Sequence, residues 1–228
     1  MSSQGSEGSQ ESTQDYVNDT VLYILSQDHN KYPIKRQDIV KYALKNNGKN
    51  FKHAMEEATN ILKQVFGMNL IEVEHGSTKH HILVNGIKNP GGLMEFKWSN
   101  EEEAHQILLM IVLSFIFMTG GVAKEESVWT FLTKLGILWT NKPHELFGDV
   151  RKLLTQEFVR QLYIEYIRIP DTDPPKYDFR WGQRAEKEVS RRAILEFVSM
   201  IHGKSAINTW TPQYQEMLNA EEKDRETD

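Results

Sequence analysis

The 228-residue sequence predicts a mainly α fold carrying small β-hairpins (α+β), laid down as two consecutive copies of one pattern of elements. Three observations lead there. Apolar residues recur every three or four positions over most of the chain, the period of helices with one buried face. Two stretches, one after Leu70 and one after Leu162, alternate apolar and polar residues around polar turns, the period of strands. Between the copies, Asn89-Pro90-Gly91-Gly92 punctuates the chain as a linker.

In the first copy, Val17, Val21, Leu22 and Leu25 make an apolar stripe that ends before Asp28-His29-Asn30. Pro33 marks the connection to a second stripe, Ile39, Val40, Ala43 and Leu44, stopped by Asn46-Asn47-Gly48. Phe51, Ala54, Met55, Ala58, Leu62 and Val65 form a third, closed near Gly67 because glycine accepts the left-handed turn that ends helices. Residues 70–74 and 80–85 then read as strands flanking His75-Gly76-Ser77-Thr78-Lys79. Three helices and a hairpin are the layout of a winged helix, so the chain is expected to hold tandem winged-helix domains.

The second copy opens at Ser99, with Glu102 three residues on as a capping box. The helix it starts contains the longest apolar run, Ile107–Met118, which is 12 residues broken by Ser114. About 20 would be needed to span a bilayer, so the run is expected to be a core helix. Val128, Trp129, Leu132 and Leu135 stripe the next helix, which Gly136 closes. Pro143 is expected to start the third, with Leu146, Phe147, Val150, Leu153, Leu154 and Phe158 inward. Leu162, Ile164 and Tyr166 give a strand to pair with residues 177–181. One last helix is expected over residues 183–201, with Ala185, Val189, Ala193, Phe197 and Ile201 inward and Gly203 as its cap. The expected divisions are a disordered acidic tail over 1–15, domains over 16–90 and 91–203, and a flexible acidic tail over 204–228.

Residues 170–185 are the most telling. Asp173-Pro174-Pro175 is a turn that cannot continue a helix, since proline lacks an N–H donor and restricts its predecessor. Tyr177, Phe179 and Trp181 alternate with Asp178 and Arg180, giving a strand with one aromatic face that Gly182 stops. As a string this segment resembles the signature near the end of the MAGE homology domain, a family of tandem winged-helix proteins. Leu108–Met118 resembles the family's central apolar helix, and Arg151–Gln156 followed by Tyr163–Tyr166 resembles its next block. The resemblance spans roughly residues 17–202. Read physically, the string is architecture: the three aromatics hold the wing onto its core, and Arg184 is the residue placed for contact.

Composition narrows the chemistry. There is no cysteine, which removes disulfides, thiolate nucleophiles and Cys-ligated zinc. The first residues do not read as a charged segment followed by an apolar one, so a secretory signal is not expected. The sequence shows no phosphate-binding loop and no His-Glu-x-x-His helix. His80 and His81 project to opposite faces of a strand, so with His75 they read as solvated hairpin histidines rather than metal ligands. Glu101, Glu102 and Glu103 complement a helix dipole. Nothing argues for an enzyme or a cofactor. The net charge is −5, but residues 1–19 carry four acids and no base and residues 219–228 five acids and two bases, which leaves the interior at +2. A body this nearly neutral needs local patches to bind nucleic acid.

Residues 35–63 hold seven bases against three acids, Lys45, Lys49 and Lys52 among them, and such a stretch suits salt-sensitive, sequence-blind phosphate contact. In the second copy, Arg151 and Lys152 begin the third helix, and Arg184, Lys187 and Arg191 line up at three and four on the last. Together they are expected to form one patch for double-stranded DNA, diluted by Glu186 and Glu188. The alternative at each site is a solubilising charge on an exposed helix. The resemblance implies a RING-type ubiquitin ligase as partner, bound through two apolar residues of the first helix. Ile24 and Leu25 occupy the matching positions, with Leu22 beside them, and the alternative is that they are core. The resemblance further implies, for ubiquitous members, a kleisin partner on the second winged helix and a place beside the SMC ATPases of the SMC five–six complex, in the nucleus on chromatin. The alternative within the family is a ligase adaptor outside that complex. A sequence-specific transcription factor ranks below both, because neither third helix is rich in base-reading Arg, Asn or Gln.

Overall fold

In both copies the elements follow one order: helix, short strand, two helices, hairpin. The computed structural model describes residues 7–76, 78–86, 100–139, 142–203 and 205–227, and it divides into two units, Met1–Met94 and Glu95–Asp228. The fold is α+β, with two small antiparallel sheets among helices.

In the first unit, α1 (Glu7–Gln27) leads through β1 (Ile34–Lys35) to α2 (Arg36–Asp38), which continues as a π-helical turn over Ile39–Ala43. Helix α3 (Phe51–Phe66) ends at Gly67, whose φ of 64° is the left-handed cap the sequence anticipates. Strands β2 (Met68–His75) and β3 (Thr78–Asn85) form the hairpin. Val21, Ile24, Ile34, Ile39, Met55, Ala58, Leu62 and Leu83 make the core. Val65, expected inward, is exposed. Helix α1 starts within the stretch read as a disordered tail, so residues 7–15 are helical.

Strand β1 was not legible in the sequence. It pairs with β3, Ile34 opposite His81 and Lys35 opposite His80, and the strand order is β1-β3-β2. β3 is therefore the central strand, and this corrects the reading of its histidines as solvated. His80 is 3% exposed and His81 half-buried. Burial pushes the His81 imidazole below its ordinary value, so charging it on acidification opposes the fold.

The second unit repeats this with a larger core. The apolar helix is α4 (Asn100–Met118); Ser99 of the expected capping box, and the linker residues 89–92, lie outside the described residues. β4 (Val122–Lys124), α5 (Glu125–Lys134), then α6 (Val150–Lys152), a π-helical turn (Leu153–Glu157) and α7 (Phe158–Arg160) complete the three-helix core. The third helix starts at Val150, not Pro143. Asp149 caps it by accepting from the Lys152 N–H at 3.0 Å, while residues 144–148 close a tight turn that leaves Leu146 exposed. β5 (Ile164–Arg168) and β6 (Tyr177–Trp181) form the hairpin, with β4 on the other side of β6.

The expected single last helix is two, α8 (Gln183–Glu188) and α9 (Arg191–Ile201). Val189 is extended, and the Ser190 hydroxyl accepts from the Ala193 N–H at 3.3 Å, so the serine starts a new helix instead of continuing the old one. The break rotates the inward face to Ile194, Leu195 and Val198, leaving Ala193 and Ile201 exposed. Beyond it, α10 (Thr211–Thr227) replaces the expected flexible tail and buries Met217 in the core.

The hairpin launches α8 across a close approach at Gly182. A Cβ there would sit 2.2 Å from the Leu162 carbonyl oxygen, which is already fixed by the Arg184 N–H at 2.9 Å. Gly182→Ala is expected to cost about 2–3 kcal/mol, since backbone rather than a flexible side chain must give way. Thermal unfolding should show Tm lower by about 10 °C; an unchanged Tm would mean this turn is not fixed as described.

Candidate functional site

Helix α1 buries Val17, Thr20, Val21 and Ile24, a single face at spacings of three and four. The Thr20 hydroxyl donates to the Tyr16 carbonyl at 2.7 Å, which lets a polar residue sit within that face. Ile24 is 0% exposed, so it is a core residue and the assignment of Ile24 to a partner face is corrected. Leu25 is half-buried against the same core, and Leu22 is 64% exposed. The apolar pair left for a partner on this helix is Leu22 with Leu25, three residues apart on one side.

Lys45, Lys49 and Lys52 are all exposed where the chain passes from the second helix into α3. Lys45 meets Asp19 of α1 at 3.2 Å and Lys52 meets Glu56 at 3.9 Å, both on open surface where such pairs hold little. Arg151 and Lys152 are exposed on α6, and the Arg151 guanidinium lies 4.5 Å over the Trp129 ring. Beneath, the Trp129 indole N–H and the Tyr166 hydroxyl both donate to Glu125 Oε1, at 3.0 and 2.8 Å. Burial and the Glu125 carboxylate hold the Tyr166 hydroxyl well above its ordinary value.

The expected patch on the last helix does not form. Arg184 is 1% exposed. Its Nε donates to the Gln161 carbonyl at 3.0 Å, its Nη1 meets Glu188 Oε1 at 2.8 Å, and its guanidinium lies 5.6 Å from the centre of the Tyr163 ring. The Tyr163 hydroxyl donates to the other Glu188 oxygen at 2.5 Å. Arg184 is a structural cation, not a DNA contact, because a charge taken this far from water must be paired and hydrogen-bonded. Arg191 is largely covered, held by Glu186 at 2.6 Å and Glu216 at 3.2 Å. Lys187 alone of that trio is exposed. Arg192, which the sequence reading passed over, is paired with Glu221 of α10. No spacing within α9 could have revealed that partner, 29 residues away.

The aromatic strand does what its alternation suggests. Phe179 is buried and meets Trp129 edge-on at 5.6 Å, and the Trp181 indole N–H donates to the Leu113 carbonyl at 2.9 Å. Tyr177 stacks on Tyr166 at 4.4 Å. Among the described residues no three His, Asp or Glu side chains cluster as metal ligands would, and no helix is long and apolar enough to cross a membrane.

A sequence profile of the MAGE homology domain matches residues 20–192. The human non-structural maintenance of chromosomes element 3 homolog is 40% identical over 206 residues, which are 90% of this chain and 66% of the human protein. The mouse homolog is 39% identical over 206 residues, 90% of this chain and 72% of its own length. Human melanoma-associated antigen D2 is 36% identical over 207 residues, 33% of that longer protein. The chain thus spans just under two thirds of the human homolog and a third of the antigen. A chain solved in the Nse1-Nse3-Nse4 complex superposes with a TM-score of 0.83 at 40% identity, covering 92% of this chain and 99% of the other.

Replacing Arg184 by alanine is expected to cost about 3 kcal/mol, the low end for breaking a buried ion pair because Glu188 keeps the Tyr163 hydroxyl. Lys187→Ala should stay within about 0.5 kcal/mol. Denaturant unfolding of the two variants makes the comparison, and equal stabilities would return Arg184 to the list of surface cations.

Proposed function

This chain belongs to the MAGE homology domain family, and from that premise we propose that it is a non-catalytic scaffold of a chromosome-maintenance complex of the SMC five–six type, working in DNA repair and recombination in the nucleus. The likeness to a chain solved inside the Nse1-Nse3-Nse4 complex carries this reading. In it, the first unit binds a RING ubiquitin ligase through Leu22 and Leu25 of α1 and stimulates it. The second unit binds a kleisin. Exposed Leu135, Trp139 and Leu146 support an interface there, as does a groove of about 250 Å³ lined by Ile137, Trp139, Pro143 and Val150. Lys45, Lys49 and Lys52, with Arg151, Lys152 and Lys187, supply weak, sequence-blind contact with duplex DNA. The mechanism is positional: the protein holds a ligase against a DNA-bound ATPase complex.

Co-purification from nuclear extract is expected to recover a RING protein together with a kleisin and two large coiled-coil ATPases. Recovery of the ligase alone would instead make this an adaptor acting outside that complex. Leu22→Asp should weaken ligase binding about tenfold or more with stability unchanged, because a charge replaces an exposed apolar contact. Ile24→Ala should cost about 2–5 kcal/mol of stability, as for a buried aliphatic side chain. Ligase binding that ignores Leu22→Asp would move the contact off this helix. For DNA, Lys49→Ala with Lys52→Ala should lower affinity uniformly across sequences. The same pair should flatten the slope of log affinity against log salt by about 1–2. A slope that stays the same would clear these lysines of phosphate contact.

A further inference from the structure

Helix α10 lies along α9 in a seat with an apolar floor and a basic rim. Met217 is wholly buried in the core of the second unit, and Trp210 and Tyr214 pack against the same core. Gln213 Nε2 donates to the Met118 carbonyl at 3.0 Å, fixing the first turn of α10 to the end of α4. On the α9 side Arg192 grips Glu221 in paired fashion, Nε to Oε1 at 2.7 Å and Nη2 to Oε2 at 2.9 Å. Arg191 Nε reaches Glu216 at 3.2 Å while its Nη2 holds Glu186 at 2.6 Å. Tyr214, Met217 and Glu221 fall at i, i+3 and i+7, one helical face, with Glu216 at its margin. The seat is thus the complement of an acidic amphipathic helix. A nucleic-acid backbone would satisfy the arginines and leave the floor bare.

The attachment of α10 is slender. Gln215, Asn219, Glu222, Lys223 and Glu226 face water, and the helix joins α9 through a segment in which His202, Gly203, Ala206, Asn208 and Thr209 are exposed. A polar helix of 17 residues is marginal by itself. What holds it is Met217, the half-buried Trp210 and Tyr214, the Gln213 bond to the Met118 carbonyl, and ion pairs that salt screens. Elements anchored in this way open well before the domain that carries them unfolds.

We propose that this seat is an exchangeable docking site for an acidic amphipathic helix of a partner protein, and that α10 is the chain's own occupant of it. The partner helix repeats the pattern of residues 214–221: an aromatic residue, an acid two positions on, a methionine-sized apolar residue three on, and an acid seven on. The site is independent of the ligase, kleisin and DNA contacts above, and binding there is at the expense of α10.

The test uses the full chain and, as probe, a fluorescein-labelled peptide of residues 207–228. Fluorescence anisotropy should show weak binding to the unaltered chain, whose α10 competes. A chain carrying Glu216→Gln and Glu221→Gln keeps Met217 but loses its clasps, and should bind the unaltered peptide at least tenfold tighter. Met217→Ala, which loosens α10 from the apolar side, should do the same. Adding Arg192→Glu to the loosened chain should remove the gain, and a peptide with Glu221→Arg should restore it to within about threefold, a rescue that general unfolding cannot imitate. Equal peptide binding by intact and loosened chains, or failure of the charge exchange to rescue, overturns the proposal. So does a loosened chain that gains affinity for a 30-base-pair duplex and none for the peptide, since the seat would then be a phosphate surface.

Discussion

Three consecutive carbonyls, those of Gln161, Leu162 and Tyr163, are all taken by the short segment Gly182–Arg184: the Arg184 side chain holds the first, the Arg184 N–H the second and the Gly182 N–H the third. The turn they belong to ends the third helix and starts the wing, and Leu162 within it sits at φ 63°, a conformation a leucine adopts only under constraint. Glycine is needed at 182 for the backbones to approach, and arginine at 184 because a planar, permanently charged fork can serve a carbonyl and a carboxylate at once. Burying that charge is costly, and Glu188 and Tyr163 offset the cost. The position of β6, hence of Trp181 and Phe179 in the core, follows from this clasp.

Two copies built on one frame have diverged in what they leave outside. The first keeps its core small and presents an apolar pair on its opening helix beside a run of lysines. The second encloses a larger core, fastens Arg184, Arg191 and Arg192 in ion pairs, and presents exposed apolar residues near Trp139 instead. A frame can be held by its buried clasps while its open faces take on different partners, which is the situation expected of a scaffold with no reaction of its own.

Helices with a strong period were legible in the sequence: α3, α4 and α5 lie where their stripes place them, and so do both hairpins, but Val65 and Leu135 at the ends of two stripes face water. What periodicity cannot see is pairing between distant segments. β1 and β4 are two and three residues long, too short for any pattern, and exist because the central strands offer free edges. The same blindness explains the site. Ile24 and Leu22 are equally apolar, and which one faces water depends on the phase of α1 against the core. The buried face includes Thr20, a residue no hydrophobic stripe would include. Arg184 looked like one step of a basic ladder because Gln161 and Tyr163, which meet it, belong to the turn before β5, a whole hairpin earlier in the chain. Ser190 and Asp149 are misses with a local signal, each a side-chain oxygen three residues ahead of the N–H it caps.

In each sheet the central strand is the last one made. β1 at Ile34 waits for His81, and β4 at Val122 waits for Arg180. During synthesis neither wing can close until its central strand emerges, so the long loop closures that slow folding come with the last strand of each sheet. Because each sheet draws all three strands from its own half, the first can finish while the second is still emerging. A duplicated chain in which either half could lend a strand to the other would risk mispairing; here the order of emergence guards against it.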